Sequence, residues 1–377
     1  MSTIKVTNID PPSANGAVNV NGVAMPNVGP LSNRNLVING AMQVAQRGTQ
    51  ETGVTNAGFR TADRFKQEIN NLGTWTIDQS TDAPDDFSFS IKATCTTADA
   101  SPAAADYAYF AYKVEGQDLQ QLNYGSSAAK TMTLSFWVKS NKTGNSTVTI
   151  LQRDNSIKLL SPQYSISSAD TWEYKTISIP ADTAGVINND NGSGLEFEFY
   201  WNAGSTYTGG SHQTTWSTYS NGNRCPSALG VGGATSDYFA ITGVQLEVGS
   251  VATPFEHRSY GDELARCQRY YCHYGSPFTT VTAGGRVGIG YITAPTQAHI
   301  ILPTGAGKMR VDPTPNHTSC QINDSAVNKD FSSFGAVVAH NGHVYLAINT
   351  SSGLTEGRGC NVRFNTTSSN LTLDAEL

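Results

Sequence analysis

Apolar side chains recur at every second position in several short segments of the chain, and mostly polar residues lie between them. This two-residue period is that of a strand with one buried face and one polar face. Loops rich in Gly, Asn, Ser and Asp separate the segments, which is typical of an antiparallel sandwich. The apolar positions are Leu36, Ile38, Met42 and Val44; Phe87, Phe89 and Ile91; Phe110, Tyr112 and Val114; Met132, Leu134, Phe136 and Val138; Leu195, Phe197, Phe199 and Trp201; and Ala240, Val244, Leu246 and Val248, which share a face with Thr242.

A second β-rich block follows in the last quarter of the chain. Its segments are "RVGIGYI", "AHIILP", "HVYLAIN", "CNVRF" and "LTLDAEL". The pattern therefore predicts a mainly β protein, with an antiparallel jelly-roll β-sandwich over residues 33–258 and a smaller C-terminal β domain over residues 275–377.

One short segment between the two blocks has helical spacing. In "GDELARCQRYYC" the side chains of Leu264, Cys267 and Tyr271 form one stripe, and Ser259 lies three residues before an aspartate, as in a capping box. We therefore expect a linking α-helix over residues 259–274. A helix of this length is not stable alone, so its stripe is covered either by copies of the chain in an oligomer or by the chain's own jelly roll.

The first 32 residues have neither period. They hold four prolines among glycines, asparagines and small residues, which predicts an extended N-terminal attachment arm over residues 1–32. Their start lacks the apolar core of a secretory signal.

Composition excludes several classes of partner. Charged residues make up 14% of the chain and the net charge is −6, which argues against a nucleic-acid or anionic-membrane surface. No apolar run has the length of a membrane span. The six cysteines have no zinc-site spacing, so we expect reduced, packed thiols and no metal or other cofactor bound by them.

Several separated segments of the chain together resemble bacteriophage tail-fibre and related prophage tail proteins. They are "NRNLVINGAMQVAQRGT", "FRTADRF", "LSFWVKS", "ITGVQLEVGSVATPFEHRSYGDELARCQRYY", "MRVDPTP" and "LDAEL". The resemblance covers most of the chain from Asn33 onward and is most specific between residues 241 and 271. Phe65 stands where the family usually has Trp, and the C-terminal block is only loosely similar.

The resemblance implies a virion tail appendage, made in the host cytoplasm, with a carbohydrate-binding-module-like jelly roll and a terminal domain that touches the host. It also implies a homotrimer, in which Leu264, Cys267 and Tyr271 would face the axis. The expected partners are other tail proteins through the N-terminal arm and a host cell-surface glycan.

A long connection without periodicity, "NAGSTYTGGSHQTTWSTYSNGNRCP", is one candidate glycan site. It holds Tyr207, Trp216 and Tyr219 among short polar residues, and sugars bind by stacking on rings while hydroxyls meet such side chains. The alternative is that Trp216 packs the loop onto the sheet. Trp137 is a further candidate because it lies on the polar face of its strand.

The polar loops of the C-terminal block predict a receptor-contact tip within residues 275–377. Tyr345 would supply a ring, Asn349 and Asn361 would supply amides, and Arg358 would supply a fork for an acidic sugar or a phosphate. The alternative is a set of ordinary solvated turns.

Glu196 and Glu198 are the one carboxylate pair on a clear strand face, at a spacing that can match that of a glycosidase. The alternative is a plain solvated face. Neither a G-x-S-x-G elbow nor an H-E-x-x-H motif is present, so a non-enzymatic protein is expected. A glycan-degrading tail enzyme and an accessory tail protein without receptor contact are the alternatives.

Asp82, Asp85 and Asp86 lie in one predicted turn and offer the oxygen ligands that calcium prefers. Their spacing is not that of an EF-hand. A structural calcium ion and a solvated acidic turn are both compatible with this segment.

Overall fold

The chain folds into two compact units. This computed structural model describes residues 18–20, 23–25, 32–305 and 307–377. The sandwich unit contains Thr52–Gly58, Lys66–His257 and the described residues up to Met42, and the barrel unit contains Gln43–Glu51, Phe59–Phe65 and Arg258–Leu377. Two segments from the first 65 residues therefore pack with the C-terminal part of the chain.

Among the described residues, fourteen strands precede the linking helix. They are β1 Val18–Val20, β2 Val23–Met25, β3 Gln50–Phe59, β4 Lys66–Ser80, β5 Ser90–Thr97, β6 Tyr107–Glu115, β7 Met132–Ser140, β8 Gly144–Gln152, β9 Lys158–Leu160, β10 Gln163–Ile166, β11 Glu173–Ile179, β12 Ser193–Ala203, β13 Ser217–Thr218 and β14 Tyr238–Val248. A one-turn helix, α1, spans Ser205–Thr208, and 3-10 helices span Gly116–Leu122 and Asn221–Asn223.

Strand β4 connects the two layers of the sandwich unit. Its first part pairs with β6 and its second part pairs with β5, both antiparallel. Between these parts Asn71 and Gly73 have positive φ angles of 50° and 68°, which turn the strand from one layer to the other. One layer runs β11-β7-β14-β5-β4 and the other runs β4-β6-β12-β8-β9-β13. This arrangement confirms the predicted antiparallel jelly-roll sandwich.

Aromatic side chains fill the space between the layers. Trp201 of β12 packs edge-on against Trp75 at 5.5 Å and lies 4.7 Å from Phe110, measured between ring centroids. Phe136 and Phe199 meet at 5.2 Å. The predicted inward rows on β6, β7 and β12 are buried, but most of the residues between them are buried as well.

Two predicted alternating runs are not strands. Residues 34–49 form turns, because Asn39 and Met42 have positive φ angles that a strand cannot hold. This segment bonds to β14 instead, where Leu36 N donates to Leu246 O at 2.9 Å. Phe87 lies outside β5, which begins at Ser90.

The barrel unit contains the linking helix and nine strands. They are α2 Tyr260–Gln268, β15 Tyr271–Gly275, β16 Arg286–Ala294, β17 Gln297–Pro303, β18 Thr314–Thr318, β19 Cys320–Asn323, β20 Asn328–His340, β21 His343–Thr350, β22 Gly359–Phe364 and β23 Asn370–Asp374. Six strands close into a barrel in the order β16-β17-β21-β20-β19-β22, and β15, β23 and β18 form a separate sheet. Apolar side chains from both sheets share one core.

Helix α2 begins as predicted but ends early. The Ser259 hydroxyl accepts a hydrogen bond from Asp262 N at 3.2 Å, which confirms the cap. The helix stops at Gln268, so Tyr271 of the predicted stripe lies in β15. Cys267 is fully buried and Tyr271 nearly so within the protomer, which leaves only Leu264 half-buried. Cys267 and Tyr271 are therefore not available as oligomer contacts.

Two arginines, Arg64 buried and Arg47 largely buried, join segments that are far apart in sequence. Arg64 lies 3.4 Å above the Tyr270 ring and pairs with Glu376. Arg47 lies 3.5 Å above the Tyr271 ring and pairs with Asp374 at 3.2 Å. We call these residues, with Asp63 and Gln46, the arginine cluster.

The arginine cluster explains part of the sequence resemblance. Four of the quoted segments contact one another in the arginine cluster. They are the segments that contain Gln46, Asp63, Tyr270 and Glu376. Within the cluster, Gln46 Nε2 donates to Asp63 Oδ2 at 2.5 Å and to Tyr271 O at 2.7 Å. These motif residues are therefore structural in the barrel unit.

Most of the predicted attachment arm lies outside the described residues. Its described part is an antiparallel hairpin, in which Val18 pairs with Met25 and Val20 pairs with Val23. All six cysteines are free and buried, as the sequence predicts. Among the residues that the structure describes, no helix has the length and apolar character needed to cross a bilayer.

Candidate functional site

Trp137 stands on the outer face of β7, beside Tyr174 of the neighbouring strand β11. The two residues are directly opposite in the antiparallel register, and their ring centroids are 5.4 Å apart. Trp137 is half-buried and Tyr174 is 43% exposed, so both rings offer surface to solvent. Alternation along β7 directs Trp137 outward because its neighbours Phe136 and Val138 face the core.

Three more rings lie beside this pair. Phe87 meets Phe255 edge-on at 5.0 Å and lies 5.3 Å from His257, and Phe255 and His257 are 4.8 Å apart. Phe87 follows the turn before β5, whereas Phe255 and His257 come from the segment after β14. Two separate loops therefore build the second group of rings.

Gly243 allows the two groups of rings to approach β14. It lies at a bulge, where Thr242 pairs with Trp137 and Gln245 pairs with Ser135, and its φ angle is +60°. A Cβ atom at Gly243 would lie 2.8 Å from Phe87 Cζ and 2.9 Å from Trp137 Cδ1. A larger residue at this position would therefore displace the rings as well as strain the backbone.

Together these rings line an open cavity of about 860 Å³, which we call the aromatic groove. Its lining residues are Asp85, Asp86, Phe87, Ser135, Trp137, Tyr174, Gly243, Ala252, Thr253, Pro254, Phe255 and His257. Half-exposed rings beside short polar side chains are suited to the apolar faces and hydroxyls of a saccharide.

A buried polar network fixes the loop that carries Phe255. Thr253 N donates to Glu247 Oε1 at 2.8 Å, and Gln245 Nε2 donates to the Thr253 carbonyl at 3.1 Å. Arg34 Nε donates to Thr253 Oγ1 at 2.8 Å, and Glu256 N donates to Gln245 Oε1 at 2.8 Å. Most of these residues belong to the "VQLE" and "PFE" segments of the resemblance, which therefore hold the groove's loop in place.

The predicted acidic turn is divided between two roles. Asp82 accepts hydrogen bonds from Lys139 Nζ at 2.9 and 3.0 Å and from Trp172 Nε1 at 3.0 Å. Although partial burial acts in the opposite direction, these bonds hold the pKa of Asp82 below its usual value. Asp85 and Asp86 lie instead at the aromatic groove, and both are exposed. Within the described parts of the chain, no group of three or more His, Cys, Asp or Glu side chains is placed to hold a metal ion.

Comparisons with known proteins give similarity in structure but not in sequence. No protein-family model matches the chain, and no curated protein gives a significant match. Among solved structures, the chain is similar to the enzymatically active domain of tailspike protein 4 of bacteriophage CBA120, with a TM-score of 0.30 and 14% identity over 57% of this chain. The chain covers 21% of that protein's length.

Two further similar structures are sugar-binding proteins by name. One is a putative sugar binding protein from Bacteroides thetaiotaomicron, with a TM-score of 0.30, 14% identity, and coverage of 57% of this chain and 100% of that one. The other is TmCBM61 in complex with β-1,4-galactotriose, with a TM-score of 0.27, 8% identity, and coverage of 57% and 99%. Overlap at these TM-scores carries no functional information, so the chemistry of the groove has to supply it.

The long connection predicted as a glycan site covers the outer face of the second layer. Trp216 Nε1 donates to the Pro180 carbonyl at 2.8 Å, and the Tyr219 hydroxyl donates to Asn221 Oδ1 at 2.6 Å. Tyr207 packs edge-on against Tyr107 at 5.4 Å. Each of the three predicted rings thus contacts a different neighbour. The contact of Trp216 agrees with the alternative in which this ring packs the connection onto the rest of the chain.

Both members of the carboxylate pair on β12 are buried. Glu198 pairs with Arg224 through two bonds of 2.5 and 3.1 Å, and Glu196 pairs with Arg153 at 3.3 Å. Burial raises the pKa of Glu198, and the Arg224 guanidinium opposes that rise. The expectation of a solvated face is wrong for both residues, because both are buried and Arg224 of the connection covers Glu198.

The C-terminal candidates separate into two places on the barrel. Arg358 and Asn361 line one open cavity of about 520 Å³ beside β16. Tyr345 packs edge-on against His299 at 5.1 Å, and Asn349 accepts a hydrogen bond from Gln297 Nε2 at 2.9 Å. The structure therefore brings together two of the four predicted residues.

The groove contains four rings that the sequence did not single out as binding residues. Phe87 was assigned to a strand, and Phe255 belonged to a motif without a stated role. His257 lay in the same motif as Phe255, and Tyr174 lay in no selected pattern. The signal that was available is Trp137 on a polar strand face, because the outward neighbours of such a ring lie on the adjacent strands.

Proposed function

We propose that the protein is a non-enzymatic tail-fibre component of a virion that binds a host cell-surface glycan at the aromatic groove. The observation that carries the proposal is the pair formed by Trp137 and Tyr174, which lie 5.4 Å apart and both keep exposed surface. Rings held in this way on a rigid sheet can stack on successive sugar faces. The virion role is supported by the sequence resemblance.

The paired carboxylates favour binding over cleavage. A glycosidase needs one carboxyl group that can donate a proton and another that can attack or activate water, both beside the scissile bond. Glu196 and Glu198 are buried and held by arginines instead. They are therefore poorly placed for the glycan-degrading alternative.

Two tryptophans provide a matched test of the site. Trp137→Ala is expected to weaken binding of the intact protein to host surface polysaccharide by about tenfold or more, which corresponds to about 1.4 kcal/mol. Trp216→Ala is the control, because its ring is also half-buried but packs on Pro180 and Tyr124. Binding is measured by calorimetry or on immobilised polysaccharide.

The same samples separate the alternatives. Polymer length is followed during incubation, and shortening of the polysaccharide by the unmodified protein would favour the tail enzyme. Equal binding by Trp137→Ala and the unmodified protein would place the contact outside the groove. No binding to any host polysaccharide would favour an accessory tail protein.

A further inference from the structure

The aromatic groove has a marked excess of negative charge in its described lining. Asp85 and Asp86 are its acidic residues, and no lysine or arginine is among the described residues that line it. Both carboxylates are exposed, and no other described residue engages them in a hydrogen bond or an ion pair. The neighbouring Asp82 differs, because Lys139 Nζ lies 2.9 Å from it. The turn thus neutralises one carboxylate and presents two.

The layer behind the groove does not cancel this charge. Arg34 donates to the Pro254 carbonyl at 2.7 Å, so one guanidinium lies behind the loop that carries Phe255. It lies 3.8 Å from Glu247 and 4.0 Å from Glu256, which are two carboxylates for one cation. The charge of Arg34 is therefore already matched by these two carboxylates.

The rings of the groove act in the same direction as the two carboxylates. Aromatic faces carry partial negative charge and attract an ammonium group, and they do so more strongly where water is partly excluded. Trp137, Tyr174, Phe87 and Phe255 present such faces within one cavity. Hydroxyl-bearing sugars can stack on these rings, but a sugar ammonium group gains attraction from the rings and the carboxylates together.

We infer that the groove selects saccharides that carry a free amino group, and that Asp85 and Asp86 determine this selection against saccharides that carry a carboxylate. This inference rests on the proposed glycan-binding function. It identifies a class of sugar, hexosamine units with an unmodified amine, and two specificity-determining residues at the edge of the rings.

The test compares three oligosaccharides of equal length on the intact protein. They are a glucosamine oligomer, its N-acetylated counterpart and a galacturonate oligomer, titrated by calorimetry in a slightly acidic buffer of low ionic strength. The amine is expected to bind about tenfold more tightly than the N-acetylated form, and the carboxylate form is expected to bind most weakly. Added salt should narrow these differences.

The double variant Asp85→Asn, Asp86→Asn keeps the shape of the groove and removes its charge. It should bind the N-acetylated oligomer as the unmodified protein does, which also shows that it is folded, and should lose the preference for the amine. Trp137→Ala is the matched control, because it should weaken all three sugars. A short oligolysine peptide of equal charge is the last ligand, and it is expected to bind more weakly than the glucosamine oligomer.

The outcomes distinguish this inference from the function on which it rests. If no sugar binds the unmodified protein, the proposed function fails together with the inference. If all three sugars bind equally, or the preference persists in the double variant, glycan binding stands and the selection is wrong. If oligolysine binds as tightly as the glucosamine oligomer, the groove binds positive charge of any kind, and the assignment of a saccharide ligand is wrong.

Discussion

Gly243 shows how one residue can set the geometry of a whole surface. Gly243 has a positive φ angle, and Phe87 and Trp137 occupy the space that its side chain would fill. Any other residue there would therefore strain the backbone and also displace the two rings. Gly230 has a similar φ angle of 69°, yet nothing lies within 4 Å of a Cβ atom at that position. The two glycines therefore separate backbone strain from ring displacement.

Gly243→Ala is expected to lower the free energy of unfolding by about 1–3 kcal/mol, because the backbone strain and the contact with the rings add. It should also weaken glycan binding, since the rings must move. Gly230→Ala is the control and should show the smaller, backbone part of the loss with unchanged binding. Denaturant unfolding and calorimetry measure both effects, and equal losses in the two variants would contradict the ring contact.

Asp63 predicts how stability varies with pH. Burial raises the pKa of this carboxyl from its usual 3.8 to about 7, although Arg47 and Gln46 oppose the rise. Between these two values the folded protein binds a proton more tightly than the unfolded chain does. The contribution of Asp63 to stability is therefore present below the unfolded pKa and is lost as pH rises toward the folded value.

We expect the free energy of unfolding to fall by roughly 4 kcal/mol between about pH 4 and about pH 7 because of this group. Asp63→Asn should flatten that part of the profile. Asp374→Asn changes the more exposed aspartate beside Arg47 and should leave the pH dependence in place. A profile that is unchanged in Asp63→Asn would assign the pH dependence to other groups.

At this scale the sequence predicted one ring of the groove, Trp137, from its place on a polar strand face, and it singled out Asp85 and Asp86 only as calcium ligands or a solvated turn. It could not predict Phe87 or Phe255, because their proximity depends on two loops that meet only after the sheet has formed. It also assigned Glu196 and Glu198 to solvent. Alternation along a strand shows that one face is more polar than the other. It does not show whether another segment of the chain covers the polar face.

Among the elements, the connection over residues 204–229 has the largest effect on the chemistry of the surface. Its Arg224 covers the part of the β12 face that carries Glu198 and Tyr200, and both of these residues are buried. The Arg224 carbonyl also accepts a hydrogen bond from the Thr149 hydroxyl. Because a buried carboxylate requires a partner, the connection and β12 depend on each other.

Replacing Arg224 with Met should lower the free energy of unfolding by about 3–5 kcal/mol, since it leaves Glu198 buried without its cation. The double variant Arg224→Met, Glu198→Gln should recover much of this loss, because no charge then remains uncompensated. Thermal and denaturant unfolding of the single and double variants complete the cycle. A small loss in Arg224→Met would mean that water reaches Glu198.

The elements themselves were predicted best where alternation was strict. Strands β6, β7, β12 and β14 and the start of α2 follow their patterns. Strand β20, "NKDFSSFGAVVAH", has no strict alternation and was missed. The predicted end of α2 is too late because Tyr271 continues the helical stripe in the sequence. In the structure Tyr271 belongs to β15 and pairs with Asp374 of β23.

For the whole molecule, the predicted homotrimer remains a prediction, and the structure changes where its contact is expected. Ile289, Ile301, Tyr345 and Val338 form a row in register across four neighbouring strands of the barrel. Ile289 is 73% exposed, and Ile301 and Val338 are also exposed. This apolar row is a better contact surface than the stripe of α2, whose Cys267 is fully buried.

We expect light scattering to give the mass of a trimer for the intact protein, with a lower mass for Ile289→Lys, which places a charge in the row. Leu264→Asp is the control and should keep the assembled mass. A monomeric mass for the unmodified protein would show that the prediction of a homotrimer is wrong. Loss of assembly in Leu264→Asp alone would return the contact to α2.

The order of the chain through the two units has a consequence for inheritance. Residues 43–51 and 59–65 belong to the barrel unit and bring Arg47 and Arg64 to the arginine cluster, although residues 66–257 separate them from the rest of that unit. A genetic crossover near residue 258 would transfer the barrel strands and Glu376 but not Arg47 and Arg64, the arginines that pair with Glu376. Recombination between related genes that exchanges this C-terminal part is therefore expected to succeed only when both parents carry compatible early segments.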